Sequence, residues 1–289
     1  MEKIVFMVPG NEAIAEAICR QKNNVKGEAE FRRFPDGESY VRIVSSVRNH
    51  PVLLVCTLHR PDELAMSLYF FAKTARLMGA ASITLIAPYL SYLRQDKIFK
   101  EGEAFTAGLF ASFLSGLFDD LVTIDPHLHR ITSLQQIYGI SARIKSSTGP
   151  MAAWLKKNVK QPIIIGPDSE SRQWVAALAA ELDVPFLVLN KERQGDRQVK
   201  VSVPEIENYR DRCPVLLDDI ISTGKTMLET IRHLKSVGMQ APVCVVVHPV
   251  FAEGAYGELQ RAGAAEIVSC NTIPHKSNRI DVGELFSEI

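Results

Sequence analysis

Short apolar runs rich in valine and isoleucine alternate along this chain with longer stretches of helical period, and this alternation constrains the fold most strongly. Unbroken apolar runs are typical of strands buried on both faces, and parallel strands need crossover connections that are usually helical. The pattern therefore predicts an α/β protein with central parallel sheets covered by helices. The first half has predicted strands at Lys3–Val8, Pro51–Thr57, Ala81–Ala87 and Asp120–Ile124, and predicted helices at Asn11–Arg20, Asp62–Met78 and Ala104–Ser115.

The second half repeats the alternation and predicts a second doubly wound unit. A length of 289 residues is enough for two domains that each bury an apolar core. Residues that break regular structure concentrate between Lys145 and Gly149, so we predict domains at 1–145 and 146–289, with the last residues able to pack back on the first domain. The second half has predicted strands at Pro162–Gly166, Pro185–Asn190, Pro214–Leu217, Pro242–His248 and Glu266–Cys270, and predicted helices at Ser169–Glu181, Thr226–Val237 and Ala255–Ala262.

Charge and cysteine content exclude several classes of protein. The 33 basic residues balance the 33 acidic ones, so the chain lacks the broad basic field that nucleic-acid or anionic-membrane binding needs. The five cysteines are scattered and form no CxxC pair, which argues against a disulfide framework or a zinc ribbon. No apolar run reaches the length of a membrane span. We therefore expect a cytoplasmic protein that binds neither nucleic acid nor membranes.

The most informative segment is Val215–Ile231, with the sequence VLLDDIISTGKTMLETI. A buried strand leads into two adjacent acids, a loop of small residues and an amphipathic helix. Loop amides and a helix N-terminus together bind phosphate, whereas the paired acids repel it and suit sugar hydroxyls. The segment thus predicts a grip on a molecule that carries both a ribose diol and a 5-phosphate. The residues assigned to this sugar phosphate are Asp218, Asp219, Ser222, Thr223, Gly224, Lys225 and Thr226.

This segment has two other interpretations. Gly224–Thr226 reads GKT, as in a Walker A loop, but that motif needs a glycine where Asp219 stands. An acid pair that is merely solvated beside a helix cap stays open as the structural alternative.

The string DDIISTGKT is similar to the fingerprint shared by type I phosphoribosyltransferases and ribose-phosphate pyrophosphokinases. For the kinases, the resemblance implies two tandem phosphoribosyltransferase type I-like doubly wound domains. The phrases DPHLH and DDIISTG look closer to the archaeal-type branch of that family. Lys225 departs from the more usual family form, which has a small residue there.

Phe31–Ile43, with the sequence FRRFPDGESYVRI, resembles a kinase segment that reaches into a neighbouring subunit and holds the adenine of ATP. The resemblance assigns that task to Phe34, Asp36 and Glu38 and implies a homo-oligomer whose ATP site is shared between subunits. A turn at Pro35–Gly37 could project these side chains, although an ordinary surface hairpin would look the same.

A charged triplet follows the predicted strand that ends at Ala87. Arg94, Gln95 and Asp96 match the Arg-Gln-Asp triplet with which the family contacts the nucleotide. A guanidinium suits bidentate contact with phosphate, and an amide can address adenine. A solvated charge run is the alternative, and the position after a strand argues against it.

Two further segments resemble the magnesium region of the family. His127, in the string DPHLHR, matches the histidine near Mg²⁺ and the ATP phosphates, and Asp168, in GPDSES, matches the magnesium aspartate. One protein carboxylate is enough for Mg²⁺ on a nucleotide, since this ion retains waters and binds phosphates. The pair His127 and His129 could also form half of a transition-metal site, but no third soft ligand lies nearby in the sequence.

A cationic loop lies at 190–199, with the sequence NKERQGDRQV. Lys191 and Arg193 match the family's catalytic cations, which stabilise the transferring phosphoryl group from a loop that closes over the substrates. A solvated hairpin is the structural alternative. The resemblance thus implies an enzyme that transfers pyrophosphate from ATP to ribose 5-phosphate; a phosphoribosyltransferase and a non-catalytic regulatory homologue are the alternatives.

Overall fold

The computed structural model describes residues 1–194, 198–202, 206–287 and 289, with side chains described for all of these except Glu170, 190–194 and 198–202. The chain forms two compact units. One comprises Met1–Ser146 together with Val282–Ile289, and the other comprises Ser147–Asp281.

The N-terminal unit is built on a six-stranded parallel sheet in the order β2-β1-β5-β6-β7-β8. Its central strands are almost fully buried, as the unbroken apolar runs predicted. Helices pack on the sheet, and strands β3 and β4 form a separate antiparallel hairpin. The elements are β1 Lys3–Met7, α1 Glu12–Cys19, β2 Asn24–Lys26, β3 Ala29–Arg33, β4 Ser39–Ile43, β5 Pro51–Val55, α2 Ala65–Leu77, β6 Ser82–Ala87, α3 Thr106–Ser115, β7 Asp120–Ile124 and β8 Ser141–Lys145.

The C-terminal unit repeats this plan with a six-stranded parallel sheet in the order β10-β9-β13-β14-β15-β16. Strands β11 and β12 form a second antiparallel hairpin. The predicted α/β class with parallel sheets is confirmed. The elements are α4 Thr148–Asn158, β9 Pro162–Gly166, α5 Arg172–Leu182, β10 Phe186–Val188, β11 Asn190–Gln194, β12 Gln198–Ser202, β13 Cys213–Ile220, α6 Lys225–Ser236, β14 Val243–His248, α7 Ala255–Ala262, β15 Glu266–Cys270 and β16 Asn278–Ile280.

The structure differs from the sequence predictions mainly at edges and helix starts. Of the residues that were expected to break regular structure, Ser146 and Ser147 precede α4, whereas Thr148 and Gly149 lie in its first turn, because glycine and proline are tolerated at the start of a helix. The edge strands β2, β8 and β16 were not predicted, since edge strands are short and carry polar residues. Helix α5 starts only at Arg172, after a 3₁₀ turn over Ser169–Ser171.

In each unit the strand order reverses next to the first strand, and an antiparallel hairpin is inserted between the second and third strands of the sheet. The reversal leaves a crevice at the carboxyl ends of the strands on either side, where ligands bind in folds of this kind. In the C-terminal unit the flanking strands are β9 and β13, which carry the predicted acids at their ends. No helix in the described part of the chain is long and apolar enough to span a membrane.

Candidate active site

The predicted phosphate loop lies between β13 and α6. Helix α6 is preceded by Gly224, whose φ of 68° places it in the left-handed region that glycine adopts without strain. Within the described part of the chain, no residue accepts a hydrogen bond from the amides of Ser222, Thr223, Gly224 or Lys225. These donors and the positive end of α6 form an arrangement that binds an anion.

A second loop braces this one from the side. The amide of Phe251 donates to the carbonyl of Ile221 over 2.8 Å, and the amide of Ala252 donates to that of Ser222 over 2.9 Å. Phe251 has a φ of 32°, a strained value for a residue with a side chain. Its ring lies 4.7 Å from the ring of His275 and 5.4 Å from that of Tyr256. The aromatic cluster therefore stabilises the backbone at Phe251, and this backbone in turn bonds to the carbonyls at the start of the predicted phosphate loop.

The two acids before the loop differ in exposure. Asp219 is 5% exposed, and its carboxylate accepts a hydrogen bond from the amide of Ile220 over 2.8 Å. Asp218 is half-buried and accepts from the amide of Asp219 over 3.0 Å. Burial, followed by the charges of Asp219 and Asp168, raises the pKa of Asp218 well above its ordinary value. The carboxylates of these acids are thus close enough to repel one another, and hydroxyl donors or a cation would relieve that repulsion.

Asp168 lies in the turn after β9. Its carboxylate accepts from the amide of Ser171 over 3.3 Å, and its backbone carbonyl accepts from the Ser171 hydroxyl over 2.6 Å. Ser171 is 2% exposed and packs over Gly166, where an added Cβ would lie 2.2 Å from the hydroxyl oxygen. The turn that carries Asp168 therefore depends on both small residues.

The chemistry of this donor set fits a hard cation. Among the residues that the structure describes, no three histidine, cysteine or acidic side chains converge in a way that would hold a metal by themselves. Mg²⁺ does not need such a cage, because it is held by one or two carboxylates together with substrate phosphates and water. Asp168, whose charge adds to that of the acid pair, carries carboxylate oxygens of the kind that Mg²⁺ prefers.

In the N-terminal unit, Arg94 and Gln95 follow β6 in a loop. Arg94 is exposed and Gln95 half-buried, and neither side chain bonds to a described residue. Asp96 is different. Its carboxylate accepts from the backbone amide and from the guanidinium of Arg130, both over 2.9 Å. That ion pair joins the loop after β6 to the loop after β7.

His127 is half-buried and lies just beyond β7. Two residues before it, Asp125 is 8% exposed and has a φ of 32°, and its amide donates to the carbonyl of Lys145 over 3.1 Å. Strained backbone directly after a sheet strand is typical of functional positions. Asp125 is not among the residues predicted from the sequence, although it directly follows a predicted strand and stands two residues before His127.

The predicted adenine residues lie at the tip of the hairpin of β3 and β4. The tip is closed by the amide of Phe34, which donates to the carbonyl of Glu38 over 2.8 Å, and Asp36 accepts from the Glu38 amide over 3.3 Å. The ring of Phe34 is 40% exposed. It lies 4.6 Å from the guanidinium of Arg32 and meets the ring of Tyr40 edge-on. The tip thus presents an aromatic side chain to solvent.

Lys191 and Arg193 lie on β11, paired with Val201 and Val199 of β12. Their side chains fall outside the described residues. Of the expected cationic loop at 190–199, residues 190–194 form β11 and residues 198–199 begin β12, while 195–197 lie outside the described residues. The roles of Lys191 and Arg193 stay predictions.

Comparisons with known proteins agree with the fold and with the resemblance in the motifs. The N-terminal domain of ribose phosphate pyrophosphokinase matches residues 3–117, and the phosphoribosyl transferase domain matches residues 134–287. The phosphoribosylpyrophosphate synthetase of Mycobacterium smegmatis has the same fold, with a TM-score of 0.84 and 22% identity over 100% of this chain and 97% of that one.

Curated relatives extend the similarity along most of the chain. The ribose-phosphate pyrophosphokinase of Sulfurisphaera tokodaii is 33% identical over 91% of this chain and 90% of its own length. That of Saccharolobus solfataricus is 34% identical over 85% and 84%, and that of Methanobrevibacter smithii is 26% identical over 98% and 99%. These archaeal relatives confirm the predicted branch. The chain therefore belongs to the ribose-phosphate pyrophosphokinase family.

Proposed function

We propose that this protein is a ribose-phosphate diphosphokinase. The 1-hydroxyl oxygen of ribose 5-phosphate attacks the β-phosphorus of ATP and loses its proton. The bond from that phosphorus to the oxygen bridging it to the α-phosphorus breaks. The products are phosphoribosyl pyrophosphate and AMP, which leaves with the bridging oxygen.

The phosphate loop is the observation that carries the proposal. The amides of Ser222–Lys225, which have no acceptor within the described part of the chain, and the start of α6 take the 5-phosphate, while Asp218 accepts hydrogen bonds from the ribose diol. Asp219 is more buried, so it accepts at most one sugar hydroxyl. Its main effect is on Asp218, through its charge and its backbone amide. This grip leaves the anomeric hydroxyl of the sugar available for attack.

The N-terminal unit supplies the proposed contacts with ATP. Arg94 and Gln95 take the nucleotide, and His127 takes its phosphates. Asp96 acts through Arg130, because both of its contacts go to that residue and are already formed. Phe34, with Asp36 and Glu38, takes the adenine of ATP on a neighbouring subunit, and the exposed hairpin tip supports that assignment.

Mg²⁺, which Asp168 and His127 would hold, would supply charge neutralisation for the ATP phosphates when bound. Lys191 and Arg193 offset the charge that develops on the transferring group. Catalysis is then positioning together with electrostatic stabilisation, and no covalent protein intermediate is required.

The test is incubation with ATP, ribose 5-phosphate and Mg²⁺, followed by chromatography of the nucleotides and ³¹P NMR of the sugar product. Equal amounts of AMP and phosphoribosyl pyrophosphate are expected, and Asp218→Asn should lower both. A phosphoribosyltransferase would release no AMP from ATP, and a regulatory homologue would turn over neither substrate. Repeating the assay with GTP and CTP would define the nucleotide preference.

The shared ATP site implies a homo-oligomer, and subunit mixing tests it. A Phe34→Ala protein lacks the hairpin contact but keeps its sugar grip, whereas an Asp218→Asn protein has the opposite defect. If the hairpin contacts the ATP of a neighbouring subunit, mixed oligomers should regain activity that neither variant has alone.

We also propose a cytoplasmic location, which the five free cysteine thiols support, since such thiols persist in a reducing compartment.

A further inference from the structure

The loop after β6 carries Arg94 and Gln95. On both sides of these two residues, the loop bonds to other elements of the N-terminal unit. Before them, the carbonyl of Tyr89 accepts from the amide of Leu58 over 2.9 Å. After them, the carbonyl of Gln95 accepts from the amide of Ala107 over 3.4 Å. The Asp96 ion pair with Arg130 follows directly. Leu90 and Leu93 of this loop are buried in the apolar core, and among the described residues Tyr92 makes the side-chain hydrogen bond closest to Arg94 on its N-terminal side.

Tyr92 has an unusual backbone and an unusual contact. Its φ of 62° lies in the left-handed region, which costs a residue with a side chain more than it costs glycine. Its hydroxyl donates a hydrogen bond to the carboxylate of Asp62. That bond is also the main reason why the pKa of Tyr92 is raised, with burial and the Asp62 charge adding to it. A strained conformation persists only where surrounding contacts hold it, and this bond is one of them.

Packing alone holds the Tyr92 ring incompletely. The ring lies 4.6 Å from the ring of Phe110. On another side it borders an apolar pocket of about 290 Å³, open to solvent, that Leu109, Phe110 and Phe113 also line. One side of the Tyr92 ring therefore lacks neighbouring side chains. The hydrogen bond from the Tyr92 hydroxyl to Asp62 thus contributes much of the constraint on how the ring is oriented.

Asp62 itself lies on a fixed support. It belongs to the 3₁₀ turn Pro61–Glu63, which begins with a proline and follows Arg60 in the left-handed conformation. The guanidinium of Arg33, at the end of β3, donates to the backbone carbonyl of Glu63. The turn is therefore tied to the hairpin on one side and, through Asp62, to the Arg94 loop on the other.

We propose that Tyr92 and Asp62 are positioning residues for ATP binding: their hydrogen bond holds the strained backbone that orients Arg94 and Gln95. The inference rests on the proposed function, because it assumes that this loop contacts the nucleotide. Without the bond, the loop must be ordered when ATP binds, and that ordering reduces the affinity. The sugar grip lies on other elements and is not affected.

The experiment measures the Kd of Mg·ATP by calorimetry and the KM values of both substrates for Tyr92→Phe, Asp62→Ala and Asp62→Asn. Tyr92→Phe and Asp62→Ala should each raise the Kd and KM for ATP by a factor of about 3 to 10, with the KM for ribose 5-phosphate unchanged. Asp62→Asn keeps an oxygen acceptor for the hydroxyl and should restore most of the affinity. The double variant Tyr92→Phe with Asp62→Ala should be no weaker than the worse single variant, since both remove one bond.

Tyr69→Phe is the matched control, because Tyr69 is exposed on α2 and its hydroxyl bonds to no described residue. It should bind ATP like the unaltered protein. ATP affinity unchanged in Tyr92→Phe, additive losses in the double variant, or an equal rise in the KM for ribose 5-phosphate would each overturn the inference. The calorimetric Kd does not depend on turnover, so failure of the AMP-release assay would reject the proposed function separately.

Discussion

Lys225 is the first residue of α6, where a cation meets the positive end of the helix dipole. That arrangement is unfavourable unless an anion binds nearby. The side chain is exposed and bonds to no described residue. At the scale of a single residue, Lys225 is therefore better explained by ligand binding than by stability.

Lys225→Ala should raise the KM for ribose 5-phosphate by a factor of about 10, because a charge-assisted contact with phosphate is lost. The free energy of unfolding should stay constant or rise by about 0.3–1 kcal/mol as the conflict with the helix dipole disappears. Steady-state kinetics and urea titration check both. Lys235→Ala, in the last turn of the same helix, should leave the KM unaltered. A variant that loses stability without a change in KM would contradict the assignment.

Lys191→Ala should lower kcat far more than it weakens ATP binding, because the proposed contact forms with charge that develops in the transition state. Single-turnover kinetics and calorimetry with ATP separate the two effects. Equal losses in both would show that this residue only binds the nucleotide.

At the scale of elements, the turn from β9 to α5 depends on the close approach of Gly166 and Ser171. Gly166→Ala places a Cβ 2.2 Å from the Ser171 hydroxyl oxygen and 3.0 Å from Val175, so the turn that carries Asp168 must shift. We expect a loss of about 1–3 kcal/mol in the free energy of unfolding and a higher Mg²⁺ requirement for activity. Gly149→Ala in α4 is the control, since an added Cβ there meets no atom within 4 Å. Equal stability of both variants would exclude the proposed crowding.

The ion pair of Asp96 with Arg130 joins two loops and makes stability depend on pH. Burial alone would raise the pKa of Asp96, but the hydrogen bonds and charge of Arg130 outweigh it and lower this pKa below its ordinary value. A lowered folded-state pKa means that the stabilisation is complete above the unfolded-state value, about 3.9, and is lost as the pH falls through the folded value.

Asp96→Asn should therefore cost about 1–2 kcal/mol at neutral pH, and its difference from the unaltered protein should shrink as the solution is acidified. Urea unfolding at a series of pH values from about 7 to about 3 measures this. Asp211→Asn, at an exposed position, should follow the unaltered protein throughout. A stability difference that is independent of pH would contradict the role of the ion pair.

At the scale of the whole molecule, the end of the chain returns to the unit in which it began. Val282–Ile289 belongs to the N-terminal unit, where the 3₁₀ helix Gly283–Phe286 contacts α1. The side chain of Phe286 is fully buried. An exposed ion pair between Arg20 and Glu284 lies beside it.

Phe286→Ala should cost about 3–5 kcal/mol, because it leaves a cavity under α1. Glu284→Gln should cost less than about 1 kcal/mol, since an exposed ion pair contributes little. Urea unfolding compares the two variants, and hydrogen exchange should show faster opening of α1 amides in Phe286→Ala. A small effect of that variant would mean that the N-terminal unit is complete without this segment.

The two units share one topology but differ in the residues at the point where the strand order reverses. In the C-terminal unit the crevice at the strand reversal lies between the Asp168 turn and the Asp218 loop. In the N-terminal unit the corresponding position is occupied by Asn11, whose amide oxygen accepts from the Thr57 amide over 2.8 Å and whose nitrogen donates to Val8. Both units insert a hairpin at the same point, and these hairpins carry Phe34 in one unit and Lys191 with Arg193 in the other.

The residues alone predicted much of this protein because the information is local. Unbroken apolar runs identify buried parallel strands, and the succession of acids, small residues and helix over Val215–Ile231 predicts a phosphate-binding loop without reference to distant parts of the chain. The motifs also identified the family.

Only the tertiary structure decided features that join distant segments. The bond of Tyr92 to Asp62, the bond of Asp96 to Arg130 and the support of Ser222 by Ala252 each connect residues far apart in sequence. Which of two adjacent acids is buried, and where a non-glycine residue is held at positive φ, depends on packing around the whole fold. Such contacts leave no periodicity or spacing in the sequence, because they form between loops that the sheet brings together.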